Sequence, residues 1–275
     1  MSRLFQSALT TIALLLLTGL AFAQTEVADP WPKFELAVGG FITESDTTVQ
    51  INSATLGVGA VVDLENVLGV ERGFRTFRVD ALYRFGKTRR NEIEFHYFDS
   101  KRDGNKVLDQ DLQIGDTIFP AGTGVSTEFR LTFYNVDYVY NFLMNDHVRL
   151  GVSAGLHTTA IKLKVEEASG SNEDNEDITA PLPMLGLRLD VLLTRNWRMK
   201  TNLNLFYLQY DNYTGRLSDS LIALEYAPWK HFGLGAGINA INYYVQDDGD
   251  SSLADLNGNI RFQLTGLMIY GKYFF

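Results

Sequence analysis

The sequence predicts an all-β fold: a closed antiparallel up-and-down β-barrel that crosses a membrane with about twelve strands, or alternatively about ten. Three observations predict it. Apolar and polar residues alternate with period two along nearly every segment beyond Gln24, giving each segment one apolar and one polar face. The connections between these segments are short and long in turn. The final segment runs through Leu267, Ile269 and Tyr273 to Phe275, an apolar alternation. Its open edge would invite aggregation in water, but in lipid a barrel closes that edge onto the first strand.

The expected strands follow in order. They are Lys33–Ile42, Thr47–Asn52, Thr55–Leu64, Phe74–Phe85, Asn91–Asp103 and Val125–Phe142, then His147–Val165, Ile178–Leu193, Trp197–Tyr210, Arg216–Ala227, Phe232–Val245 and Asn259–Phe275. Thr47–Asn52 is shorter than the roughly 9–11 residues a spanning strand needs. Keeping it preserves an even count with both ends of the barrel on the inner side. Asp63 to Val70 is then a connection with a helical turn. Within Val125–Phe142 the apolar parity changes, from Phe129, Leu131 and Phe133 to Tyr134, Val136, Tyr138 and Tyr140. The second stretch reads as membrane-embedded with Asn135 and Asp137 inward, and the first as strand above the bilayer, with a bulge at the change. Lys162 and Lys164 mark a similar change in His147–Val165.

Gly86–Arg90, Met144–Asp146, Thr194–Asn196 and Pro228–His231 are short connections, while Asp103–Gly122, Glu166–Asp177, Asp211–Gly215 and Gln246–Gly258 are longer. Membrane barrels have short turns on the inner side and long loops outside. With Phe275 on the inner side, every short connection falls there too. Trp197, Trp229, Tyr273 and Phe275 then form an inner aromatic girdle.

Composition narrows the setting. Arg3, the apolar run Ala8 to Leu20 and Ala21-Phe22-Ala23 read as a cleaved secretory signal peptide over residues 1–23, leaving one barrel domain over 24–275. That run is too short for the roughly 20 residues of a membrane helix. The chain has no cysteine, which excludes disulfides and thiolate metal sites. Its net charge is −9, a poor match for nucleic acid.

The C-terminal segment resembles the assembly signal of outer-membrane barrel proteins, with Phe275 last and Tyr273 two residues earlier; the glycine such signals carry would fall at Tyr270, and this chain has Gly271 instead. The order Val61-Val62-Asp63-Leu64-Glu65, Leu68-Gly69, Phe77-Arg78-Val79-Asp80, Tyr83-Arg84-Phe85 and Ile114-Gly115-Asp116 resembles a poorly characterised group of proteobacterial outer-membrane barrels, over roughly residues 55–142. The resemblance implies the fold and a place in the outer membrane of a Gram-negative bacterium. It implies no substrate.

The polar face carries Arg78, Asp80, Arg84, Glu92, Glu94, Asp137, Arg149, Arg188, Asp190, Arg198, Lys200 and Glu225 toward the lumen. Rings of such charge can select solutes, which points to a passive, porin-like channel for small polar solutes. Both signs on neighbouring strands point equally to an internal salt-bridge network, hence a non-conducting structural or surface-interaction barrel. Gly151, Gly155, Gly186, Gly233, Gly235 and Gly237 would leave space inside. A lipid-acting enzyme is the third reading, resting on His96 beside Glu92 and Glu94 and on His157 beside Ser153, but no catalytic motif accompanies them. No catalytic residue, metal site or cofactor is therefore expected. The acidic stretches Glu173–Asp177 and Asp247–Asp250 lack the spacing of a calcium loop. Expected partners are outer-membrane lipid and lipopolysaccharide, with the barrel assembly machinery during insertion. The loop Asp103 to Gly122 is long enough to fold inward as a constriction.

Overall fold

The computed structural model describes residues 29, 31–52, 61–114, 117–168, 173–210, 213–248 and 257–275, with the side chains of 173–178, 180, 248 and 257 excepted. The expected signal segment lies outside them. In chain order the elements are β1 (Phe34–Ile51), β2 (Val62–Asp63), α1 (Leu64–Val67), β3 (Gly73–Phe85), β4 (Asn91–Val107), β5 (Leu112–Ile114) and β6 (Thr117–Phe119). They continue with β7 (Gly124–Met144), β8 (Val148–Glu167), β9 (Glu173–Leu192), β10 (Trp197–Tyr210), β11 (Tyr213–Tyr226), β12 (Phe232–Asp248) and β13 (Asn257–Phe274). Each long strand pairs antiparallel with the next, and β13 returns to β1 from Glu35↔Phe274 to Ile51↔Gly258. The sheet is closed, so it has no edge to satisfy in lipid.

The barrel therefore has ten strands rather than twelve. Lys33–Ile42 and Thr47–Asn52 are one unbroken strand, β1, paired through the polar stretch Thr43 to Thr48. That stretch looked like a turn by composition. In the barrel Thr43, Ser45 and Thr47 point inward and are buried, while Glu44 and Asp46 face water. Of Thr55–Leu64, residues 53–60 lie outside the described set; Val62–Asp63 forms the two-residue β2, laid against Thr48 and Val49 of β1. The helical turn is α1, capped by the Asp63 carboxylate accepting from the Asn66 amide at 2.8 Å.

The parity change in β7 needs no bulge where the sequence suggested one. Its ladder to β8 runs without a shift from Val125↔Glu167 to Asn141↔Gly151; the irregularity lies lower, between Asn141 and Leu143. Side-chain phase is constant, and what changes is the solvent. Low on β7, Tyr134, Val136, Tyr138 and Tyr140 point out and Asn135, Asp137 and Asn141 point in. Higher up, Phe129, Leu131 and Phe133 point in, and Glu128 and Arg130 are turned outward. β8 repeats this, with Ile161, Leu163 and Val165 buried and Lys162 outside. At about 3.3 Å per residue and a tilt near 40°, Phe142 to Tyr134 rises about 20 Å, close to the ~25 Å apolar height of such barrels. β7 has 21 residues and β8 and β9 have 20 each, so nearly half of each strand stands beyond the bilayer. There the wall obeys the rule of a water-soluble protein.

Two consequences follow for the outer end. The stretch Glu166–Asp177 is mostly hairpin, not loop: β8 and β9 pair as far as Glu166↔Glu173. The loop between β4 and β7 carries the small hairpin β5–β6, whose Leu112, Ile114 and Phe119 join Leu108 in the apolar cluster of the barrel interior. It caps the mouth through apolar contacts, leaving Asp109 and Asp111 in water.

One interval of the wall is incomplete. β9 and β10 pair only from Leu192↔Arg198 to Leu185↔Leu205, although both strands continue upward. Pro181 and Pro183 of β9 have no N–H to donate, which removes ladder bonds where the pairing stops. Leu208 and Tyr210, in the inward phase of β10, are left exposed.

Candidate functional site

The interior is the chemically dense part of the molecule, and it is layered. The layer at the inner end is built from side chains of β1, β3, β4, β8, β9, β10, β11 and β13. Arg84 donates to Glu35 at 2.6 Å and to Glu92 at 3.1 Å. Arg198 meets Glu35 at 2.5 Å and Glu225 at 2.6 Å. Lys272 reaches Glu225 at 2.6 Å and Glu35 at 3.2 Å, and Tyr270 donates to Glu225 at 2.9 Å. Arg149 pairs with Glu92 at 2.7 Å, while Asp190 stands 4.0 Å from Arg84. Four cations thus face four carboxylates. Trp31 lies against this layer, with Arg149 and Arg198 at 5.4 and 6.0 Å from its ring, and its indole N–H donates to the Asn145 carbonyl.

A second layer lies above. Arg188 donates to Glu94 at 2.7 Å, to Asp137 at 2.6 Å and to Asn204 at 2.7 Å. Lys200 is 3.6 Å from Glu94. Arg78 donates to Asp80 at 2.9 Å and to Asn239 of β12 at 2.8 Å, and Asn239 donates to Asp219. Charge-assisted bonds of this kind are the strong ones, and here they cross the bore as well as run along the wall. The void between the two layers measures about 30 Å³, room for about two waters.

The third layer is aromatic. Phe98 and Phe133 are 4.3 Å apart between centroids, Phe41 lies 5.5 Å from Phe98, and Phe262 stands between Phe133 at 5.8 Å and Tyr243 at 4.6 Å. Above it, Arg102 is buried among Phe74 and Phe129 and bonded to Glu65 of the α1 turn at 2.7 Å and to Thr47 at 2.7 Å.

All twelve charged residues expected at the lumen lie in the two ionic layers. Sequence reasoning missed Glu35, an acid paired with three cations. Its signal was present, because Leu36 and Val38 face outward and put Glu35 in the inward phase. The inward glycines do not leave a bore. A Cβ on Gly155 would meet Asp137 at 2.0 Å, on Gly186 the Asn204 amide at 2.3 Å, and on Gly235 the Tyr270 ring at 2.2 Å. Neighbouring polar side chains occupy that space.

Of the girdle residues, Trp197 packs 4.7 Å from Tyr226, Tyr273 lies 5.1 Å from Phe232 and Phe275 is 5.3 Å from Phe34; Trp229 is exposed in the β11–β12 turn. His96 does not sit beside a nucleophile. Its Nδ1 contacts Asp80 at 2.5 Å and its Nε2 lies 3.7 Å from Glu94. His157 is buried edge-on to Phe133 at 5.0 Å. Glu94, His96 and Asp137 are close enough together to suggest a cation site. Arg188 already spans both carboxylates, so the cation there belongs to the chain itself.

No protein-family model and no curated protein matches this sequence. Among solved structures, it is similar to the outer membrane protease OmpT of Escherichia coli, with 10% identity over 92% of this chain and 99% of that one and a TM-score of 0.61. It is also similar to Ail, the attachment invasion locus protein of Yersinia pestis solved with the heparin analogue sucrose octasulfate, at 13% identity over 88% and 99% with a TM-score of 0.38. The toluene transporter TodX of Pseudomonas putida matches at 9% identity over 89% and 90%, with a TM-score of 0.36. The first shows the fold alone, and the other two carry no argument. The fold is that of the Gram-negative outer-membrane β-barrels, and the apolar belt around it is a lipid-facing surface.

Proposed function

We propose that this outer-membrane barrel is non-conducting, with a lumen closed by paired charge, and that it works through its outer end, in surface stabilisation, adhesion or partner binding. One observation carries the reading: Glu35 of β1 is bonded at once to Arg84 of β3, Arg198 of β10 and Lys272 of β13, so a single carboxylate ties strands from separate parts of the wall together across the bore. The aromatic layer above blocks the same path a second time. Lipid and lipopolysaccharide around the belt, and the assembly machinery at insertion, are the partners this reading implies.

A passive channel for small polar solutes is the second reading. The polar lining of the Arg188 layer and the void beneath it favour it, but a solute would need Arg188, Arg198 and several rings to swing aside together. Catalysis has less support. His96 is held between two carboxylates and His157 is buried against the Phe133 ring, and the protease named among the similar structures lends this chain only its fold.

Liposome swelling in a neutral disaccharide tests the reading. Folded protein should leave swelling at the rate of empty vesicles. Swelling that rises with the amount of folded barrel would sink it in favour of the channel.

A further inference from the structure

The outer wall carries a feature that neither the closed lumen nor the mouth uses. On β10–β13 one outward row reads Tyr207, Arg216, Tyr244 and Arg261, each in register with the next. Below it runs a second outward row of uncharged residues, Leu205, Ser218, Asn242 and Gln263. Between the two rows lies a recess of about 600 Å³ on the face of the wall. The Arg216 guanidinium sits 5.4 Å from the Tyr207 ring and 5.6 Å from the Tyr244 ring, so it is held without being neutralised.

This row is basic without an acid paired to it, whereas several other basic side chains of this half of the barrel are paired. Arg130 is engaged by Asp99, Lys101 by Glu128, and Arg72 by Asp46. Arg75 lines a recess with Glu44 but makes no ion pair with it. Arg216 and Arg261 have no carboxylate partner among the described residues. Their height matters as much. Arg261 stands about 30 Å above Tyr273 of the inner girdle along β13, at the top of the ~25 Å apolar band. Ile222, Ile238 and Leu267 form the lipid-facing wall beneath it.

We infer that this recess holds the phosphorylated headgroup of an outer-leaflet glycolipid, with Arg216 and Arg261 donating to a phosphate and the acyl chains lying on the apolar wall below. Guanidinium forks match phosphate oxygens in pairs, and strands about 10 Å apart let two arginines converge on one group. The apolar wall continuing below the recess is what selects a lipid over free phosphate. The inference concerns the outer wall and is independent of whether the lumen conducts.

The test uses the folded full barrel in detergent, titrated with a diphosphorylated lipid A, the same lipid without phosphates, and inorganic phosphate, and read by native mass spectrometry. The phosphorylated lipid should be retained, and Arg216→Gln/Arg261→Gln should bind it at least about tenfold more weakly, since both charged hydrogen bonds to the phosphate are lost. Arg130→Gln, a paired arginine of the same outer half, should bind as the native chain does. Equal binding of the dephosphorylated lipid, equal binding by the double variant, or phosphate alone binding as tightly as the lipid would each overturn the assignment. If the double variant fails to fold, the two single variants carry the same test, each expected to weaken retention.

Discussion

Glu35 and Arg198 are 163 positions apart in the chain, and their side chains meet at 2.5 Å inside the barrel. Neither strand is the other's neighbour: β11, β12 and β13 lie between them along one arc of the wall. The contact is therefore made across the bore. It places charge compensation at the inner end of the lumen.

Removing one cation from this layer should be costly, because the carboxylates left behind stay buried with their charge no longer fully balanced. Arg84→Ala takes a shared cation from Glu35 and Glu92, leaving three cations for four carboxylates, and should destabilise the barrel by about 3–5 kcal/mol. Lys87→Ala, in the exposed turn after β3, should stay within about 0.5 kcal/mol. Urea unfolding in phospholipid vesicles measures both.

The inversion of solvent along β7 makes neighbouring residues respond differently. Phe133→Ala empties the aromatic layer and should cost about 3–5 kcal/mol. Val136→Arg puts a charge into lipid on the same strand and should cost about 2–4 kcal/mol, whereas Ser126→Arg, outward but above the bilayer, should cost about 0–1 kcal/mol. If Ser126→Arg were as damaging as Val136→Arg, the membrane boundary drawn here would be wrong.

Glycines report how full the interior is. Gly155→Ala would bring a methyl group against Asp137 and the Val136 carbonyl and should destabilise by about 1–3 kcal/mol. Gly271→Ala, with nothing near its Cβ position, should fold as well as the native chain. Comparable heat-modifiable gel mobility for both would mean that the lumen has room.

The parting of β9 from β10 predicts uneven protection. Amides of β10 above Leu205 that face β9 have no strand to bond, so hydrogen exchange there should be fast while Arg198 to Leu205 stays protected. Uniform protection along β10 would show the seam to be closed in solution.

Much of this was legible in the sequence because a strand has only two faces. Period two assigned the lipid and lumen sides of β7 to β13 residue by residue, and the short inner turns set the direction. The count was not legible. Thr43 to Thr48 is polar at every position, and periodicity carries no signal where both faces are hydrophilic; only pairing with β13 shows it to be strand. The parity change at Phe133–Tyr134 was visible, but its cause was not, since the sequence does not mark where lipid gives way to water. The charged lumen was legible as a set of residues. Whether those charges select or cement depends on distances across the bore, which pairing between distant strands decides.

Planar-bilayer recording of the folded, full-length barrel at neutral pH and high salt tests the central claim most directly. The closed lumen predicts a flat baseline in membranes shown to contain inserted protein. Stable, stepwise conductance from the native chain under those conditions would contradict it.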